Sequence, residues 1–97
     1  MLAQNLKIGD VIYVVDNCIM SIGEIIRSTI LVDNSIKFVI VWRVKAHSFL
    51  PESNEAWFRR DPTEPITRYI GKMLLTNDED LAVEELKKQQ LLLSKPS

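Results

Sequence analysis

Along the first two thirds of the chain, apolar residues recur at every second position or gather in short β-branched runs, a pattern of strands rather than helices. Val11-Ile-Tyr-Val-Val15 is the first such run, and Lys7-Ile-Gly-Asp10 ahead of it reads as a turn. Asp16 and Asn17 close the run, because both side chains bond nearby backbone and tolerate left-handed dihedrals. A second strand is predicted from about Met20 to Val32, with Gly23 inside it marking a bulge or a sharp bend. The turn Asp33-Asn34-Ser35 leads into the clearest strand, Ile36 to Ala46. Ile36, Phe38, Ile40, Trp42 and Val44 fall on one face at period two and are predicted core. The other face, Lys37, Val39, Val41, Arg43 and Lys45, is charged at its ends and apolar between. Something is therefore expected to cover Val39 and Val41.

Residues 47–55 read as a loop, and Ala56-Trp-Phe-Arg-Arg60 as a short strand. Asp61-Pro-Thr-Glu-Pro65 is a stiff connection, since two prolines fix their φ angles. The stretch Ile66 to Leu75 mixes a strand-like run with Gly71 and stays ambiguous. From Thr76 the pattern turns helical. Thr76-Asn-Asp-Glu79 has the form of a capping box, and Asp78, Glu79 and Asp80 suit the positive end of a helix dipole. Leu81, Ala82, Leu86, Leu92 and Leu93 make an apolar stripe, with Leu91 on the other side of the helix. This stripe is the preferred cover for Val39 and Val41, because a short connection tethers it; a second copy of the chain is the fallback.

The elements together predict a mainly β (β+α) fold: a small, bent, antiparallel, SH3-like barrel of about five strands followed by one C-terminal helix. The barrel takes about residues 7–75, the helix 76–93 and a tail 94–97, all in a single domain of 1–97. A sheet with the helix packed on one face is the alternative.

Composition narrows the function classes. With 97 residues the chain holds one core and buries a modest share of its surface. Twelve Lys/Arg against thirteen Asp/Glu leave a net charge of −1, without the positive field of a general nucleic-acid binder. The single Cys18 allows no internal disulfide, which favours a reducing, cytoplasmic setting. The N-terminus lacks the basic start and apolar run of a signal peptide, and no uncharged apolar stretch is long enough to span a membrane.

Two stretches carry a family resemblance. Lys7-Ile-Gly-Asp-Val-Ile-Tyr-Val-Val15 followed by Ile22-Gly-Glu-Ile-Ile26 is similar to the opening of small phage- and prophage-type proteins. Ile70-Gly-Lys-Met-Leu-Leu-Thr-Asn-Asp-Glu79 is similar to their C-terminal helix start, an aromatic-Thr-x-Glu-Glu-Ala pattern often preceded by Gly-Lys. Glu79-Asp-Leu81 stands here where that pattern has Glu-Glu-Ala. The resemblance implies an SH3-like body and a mobile-element origin, and no reaction.

Candidate chemistry is sparse. His47 has no Cys or His at ligand spacing, so no metal site is expected. Cys18, beside Ile19 and Met20, reads as a small buried hydrophobe, and a Cys18–His47 nucleophile pair would still need an orienting group. Gly9, Gly23 and Gly71 are too scattered to cradle a phosphate, and no cofactor is implied. Glu24 could share the inner face of a bent strand with Ile22 and Ile26, although a place on the rim is the simpler reading. Trp57-Phe-Arg-Arg60 is the strongest surface candidate: aromatics beside arginines anchor interfaces or stack on bases. In a strand Trp57 and Arg59 share one face and Phe58 and Arg60 the other, so one ring can serve the core. The expected function is a non-enzymatic protein-interaction module, an accessory or host-interference factor of a phage or mobile element. Its candidate partner-binding residues are Trp57, Arg59, Arg60, Arg43, Phe49 and Leu91. The alternative is a small barrel binding nucleic acid through Arg27, Arg43, Lys45, Arg59, Arg60 and Arg68. A homodimer is compatible with either, and no membrane partner is expected.

Overall fold

Two tight turns set up the first three strands, β1 (Val11–Asp16), β2 (Ile19–Ile30) and β3 (Ile36–Val44), in a computed structural model that describes residues 1–48, 50 and 53–94, of 93 and 94 the backbone only. Asn17 and Cys18 both adopt positive φ, 52° and 65°, as a two-residue hairpin turn requires. Asn34, with φ of 67°, does the same between β2 and β3, where Asp33 accepts the Ser35 amide. The strands β4 (Glu55–Arg60), β5 (Arg68–Ile70) and β6 (Met73–Thr76) complete a single curled, half-barrel sheet in the order β4-β3-β2-β1-β6-β5, every pair antiparallel. The ambiguous 66–75 stretch is thus a hairpin turning at Gly71, whose φ is 64°, and the sheet has six strands instead of about five. The predicted mainly β fold with one C-terminal helix is the observed one.

The inner face gathers Ile12 and Val14 of β1, Ile25 of β2, Phe38, Ile40 and Trp42 of β3, and Leu75 of β6. Gly23 lies opposite Trp42, and a Cβ there would come within 3.3 Å of the Trp42 ring and of Ile40 Cδ1. A bare backbone is what lets the indole approach β2 this closely. Beside it the register passes from Gly23↔Trp42 to Ile22↔Val44, leaving Arg43 as the extra residue of a bulge. Such an insertion turns the following side chain to the other face. Val44, predicted core, is accordingly 47% exposed. A 3-10 turn at Ala3–Asn5 closes one side of this core. Ala3 N donates to Glu64 O (2.8 Å), Gln4 N to Pro62 O (3.0 Å) and Ile66 N to Met1 O (3.0 Å), burying Ala3, Leu6 and Ile66.

The helix α1 (Glu79–Ser94) begins later than the capping box predicts. Thr76 still belongs to β6, paired with Tyr13, and its buried hydroxyl bonds Thr67 Oγ1 (2.7 Å) and the Asp78 amide (3.0 Å). The cap is Asp78, whose carboxylate accepts the Leu81 amide (3.2 Å) while its carbonyl accepts that of Ala82 (3.0 Å). Ala82 is fully buried against Val15 and Leu74, flanked by Leu81, Leu86, Tyr13 and Met20. The helix therefore lies on the outer face of β1 and β6. It does not cover Val39 and Val41, which share that outer face on the far half of the sheet: the cap ties α1 directly to the end of β6, next to β1. Leu92 of the predicted stripe is 65% exposed. The Leu93 side chain and the 95–97 part of the predicted tail lie outside the described residues.

Candidate interaction surface

On the half of the outer face that α1 leaves open, the register lines up three cross-strand rows over β2, β3 and β4: Arg27–Val39–Trp57, Glu24–Val41–Glu55 and Thr29–Lys37–Arg59. Side chains directly opposite one another on one face interact. Arg27 pairs with Glu55 (3.2 Å), Arg43 with Glu24, and Arg59 with Asp33 at the β2–β3 turn (3.7 Å). Val39 and Val41 are half-buried beneath these long side chains, so the predicted cover is a lattice of ion pairs and not a further element. Hydrogen bonds from the Ser35 hydroxyl and amide, chiefly, hold the Asp33 carboxyl below its usual range. Trp57 projects from the middle of this lattice, 64% exposed, with Lys37 Nζ 5.0 Å from its ring centroid.

Of the six residues singled out from sequence, the structure brings Arg43, Trp57 and Arg59 to this face. Phe49 lies outside the described residues. Leu91 is exposed on α1, away from the open half. Arg60 is a correction: it is only 5% exposed, because the strand alternation that turns Trp57 and Arg59 outward turns Phe58 and Arg60 inward. Phe58 packs on Phe38, centroids 5.2 Å apart, and the Arg60 guanidinium lies 5.1 Å from the Phe58 ring with Nη1 donating to Arg59 O. Burial, and then the charge of Arg68, lower the Arg60 pKa, although Glu64 opposes them. Arg68 itself is ion-paired to Glu64. Glu24 stands on the outer face with Arg43, opposite Val41, and not on the inner face that a bent strand could have given it.

Comparison with family models, with curated proteins and with solved structures finds no match to this chain. Its function therefore rests on its own geometry.

Two further polar clusters lie elsewhere on the molecule. Between the tips of the β1–β2 and β5–β6 hairpins and α1 lies a groove of about 560 Å³. On its wall Tyr69 Oη donates to Glu85 (2.6 Å), Gln89 Nε2 donates to the other Glu85 oxygen (3.2 Å), and Gln89 Oε1 accepts the Cys18 amide (3.0 Å). The Cys18 thiol reaches Gln89 O at 3.4 Å. Cys18 is thus a half-buried turn residue docked to the helix, in place of the buried hydrophobe predicted. Sequence reasoning missed this chain of contacts because its members are dispersed over three elements with no spacing of their own.

The second cluster is Ser21 with His47, both buried. Ser21 Oγ lies 2.6 Å from His47 Nδ1 and accepts the amides of Ala46 (3.0 Å) and His47 (3.3 Å), while His47 Nε2 lies 2.9 Å from the Asp16 carbonyl. A hydroxyl next to an imidazole is the arrangement of a nucleophile and its base. Here the hydroxyl is sealed from solvent and both its lone pairs are taken by amides. Among the described residues no group of three His, Cys, Asp or Glu side chains is placed to hold a metal ion. No helix among them is long and apolar enough to cross a membrane.

Proposed function

We propose that this protein is a non-enzymatic interaction module that binds a protein partner through the open outer face of β2, β3 and β4, with Trp57 as the anchor. The observation that carries this reading is the 64% exposure of Trp57 at the centre of a strand face whose surroundings are fixed by ion pairs. A large, stiff, exposed ring ringed by polar side chains is the composition of an interface hot spot. Arg27, Arg43, Arg59 and Arg68 each face a carboxylate and Arg60 is buried, which favours a protein over a phosphate backbone as the partner. The sealed Ser21–His47 pair supports a non-enzymatic role. The two stretches that resemble small phage and prophage proteins support reading the module as an SH3-like accessory or host-interference factor, and the single Cys18 supports a reducing, cytoplasmic setting.

The test is affinity capture from lysate with wild-type protein and with Trp57→Ala, each with and without nuclease. The reading expects a captured protein that survives nuclease and is lost with Trp57→Ala, while the melting temperature of the variant stays within a few degrees of wild type. Capture that vanishes with nuclease, or that ignores the substitution, would overturn it.

A further inference from the structure

The backbone of β4 carries more than the Trp57 side chain. In an antiparallel ladder, alternate residues point both their N–H and C=O groups at the partner strand, and those between point them away. Trp42 N donates to Asn54 O at 2.7 Å, in the same register that pairs β3 with β4. Ala56, Phe58 and Arg60 therefore face β3, and Glu55, Trp57 and Arg59 turn their amides and carbonyls outward. At Glu55 both groups are met by the Ser53 hydroxyl, and the Arg59 carbonyl accepts Arg60 Nη1. The Trp57 N–H and C=O and the Arg59 N–H have no partner among the described residues, and β4 is the terminal strand of the sheet.

Edges are commonly guarded by proline, by a bulge or by charge. Here β4 contains no proline, and its ladder with β3 runs without a register shift. Its outward charges are of opposite sign, Glu55 two residues before Trp57 and Arg59 two residues after. That antisymmetry has a specific consequence. A two-fold axis through Trp57 sets Trp57 against Trp57 of a second copy, and each Glu55 against the other copy's Arg59, on one face. On the other face Ala56 meets Phe58. A slip of one residue would oppose inner and outer faces. Centring the axis on Phe58 instead would set Glu55 opposite Asp61, like against like.

We propose that the partner at this edge is a second copy of the chain, which pairs β4 with β4 antiparallel about Trp57 and joins two sheets into one. The inference rests on reading the Trp57 face as an interaction surface, and adds to it the identity of one occupant. Two hydrogen bonds between the facing Trp57 residues lie at the axis. Glu55 and Arg59 exchange their exposed partners Arg27 and Asp33 for each other across it. The dimer is isologous, as a self-complementary strand demands.

Charge reversal tests it by sedimentation velocity on the full chain over a concentration series. Wild type is expected to show a concentration-dependent dimer. Glu55→Arg alone and Arg59→Glu alone each place like charges opposite one another twice, and should weaken dimerisation at least about tenfold. An equimolar mixture of the two variants restores both opposite-charge pairs, so it should dimerise near the wild-type level. Both positions are exposed, and an unchanged circular dichroism spectrum shows that each variant is folded. A wild-type monomer throughout the series, a dimer that neither reversal weakens, or a mixture that does not recover would each overturn the proposal. A monomer that still captures another protein through Trp57 overturns self-pairing alone. A dimer that responds to the charge reversals, together with capture indifferent to Trp57, upholds self-pairing and overturns the reading of the face as a site for other proteins.

Discussion

The Ser21 hydroxyl accepts two main-chain amides and lies against His47 Nδ1, so the ring can accept the serine proton there and donate from Nε2 to Asp16 O. Three polar groups of Ala46 and His47, just after β3, are thereby matched inside a region closed to water. Ser21→Ala removes the hydroxyl that those amides and the ring nitrogen bond, and is expected to cost about 1–3 kcal/mol, measured as a lower urea midpoint at unchanged slope. A midpoint equal to wild type would show that water replaces the hydroxyl. At this scale the sequence was readable where a periodicity applied. The alternation that split Trp57 and Arg59 from Phe58 and Arg60 follows from strand geometry, as does the inward set Phe38, Ile40 and Trp42. Nothing local announces that His47 is buried, because its partners lie 26 and 31 positions away.

At the scale of elements, the helix is held by its apolar contacts and by polar ones that depend on protonation. Tyr69 donates to Glu85, and that hydrogen bond, with burial and carboxylate charge behind it, raises the tyrosine's pKa above 10.0; Tyr13 is raised by burial and by Glu79. The folded chain thus keeps these phenols protonated at a pH where the unfolded chain loses their protons. Their contribution is complete below pH 10.0 and is lost as pH rises through the raised folded values. Stability should fall on that alkaline side, and a Tyr13→Phe/Tyr69→Phe variant should fall less steeply. Equal slopes in urea midpoint against pH would contradict the docking contacts. The existence of the helix and of the first four strands was legible from first-turn acids, turn residues and period. The start of the helix and its docking place were not. Thr76 has the side chain of a cap, but its backbone belongs to the ladder with Tyr13, so the cap falls to Asp78. An apolar stripe states that a helix is covered, and the topology of β6 beside β1 decides by what.

Over the whole molecule, one curled sheet uses its inner face for the core and divides its outer face in two. The β1–β6 half is sealed by α1, and the β2–β3–β4 half is left as ion pairs around Trp57. The β3 bulge at Arg43, beside Gly23, contributes to this division, because it turns Val44 out of the core. The proposed function requires that the open half is where the protein meets its partners. Hydrogen–deuterium exchange of the chain, alone in dilute solution and in the captured complex, tests that most directly. Peptides covering 36–44 and 55–60 should gain protection in the complex, and those covering 79–92 should exchange as they do in the free protein. Protection confined to the helix, with β3 and β4 unchanged, would contradict the account.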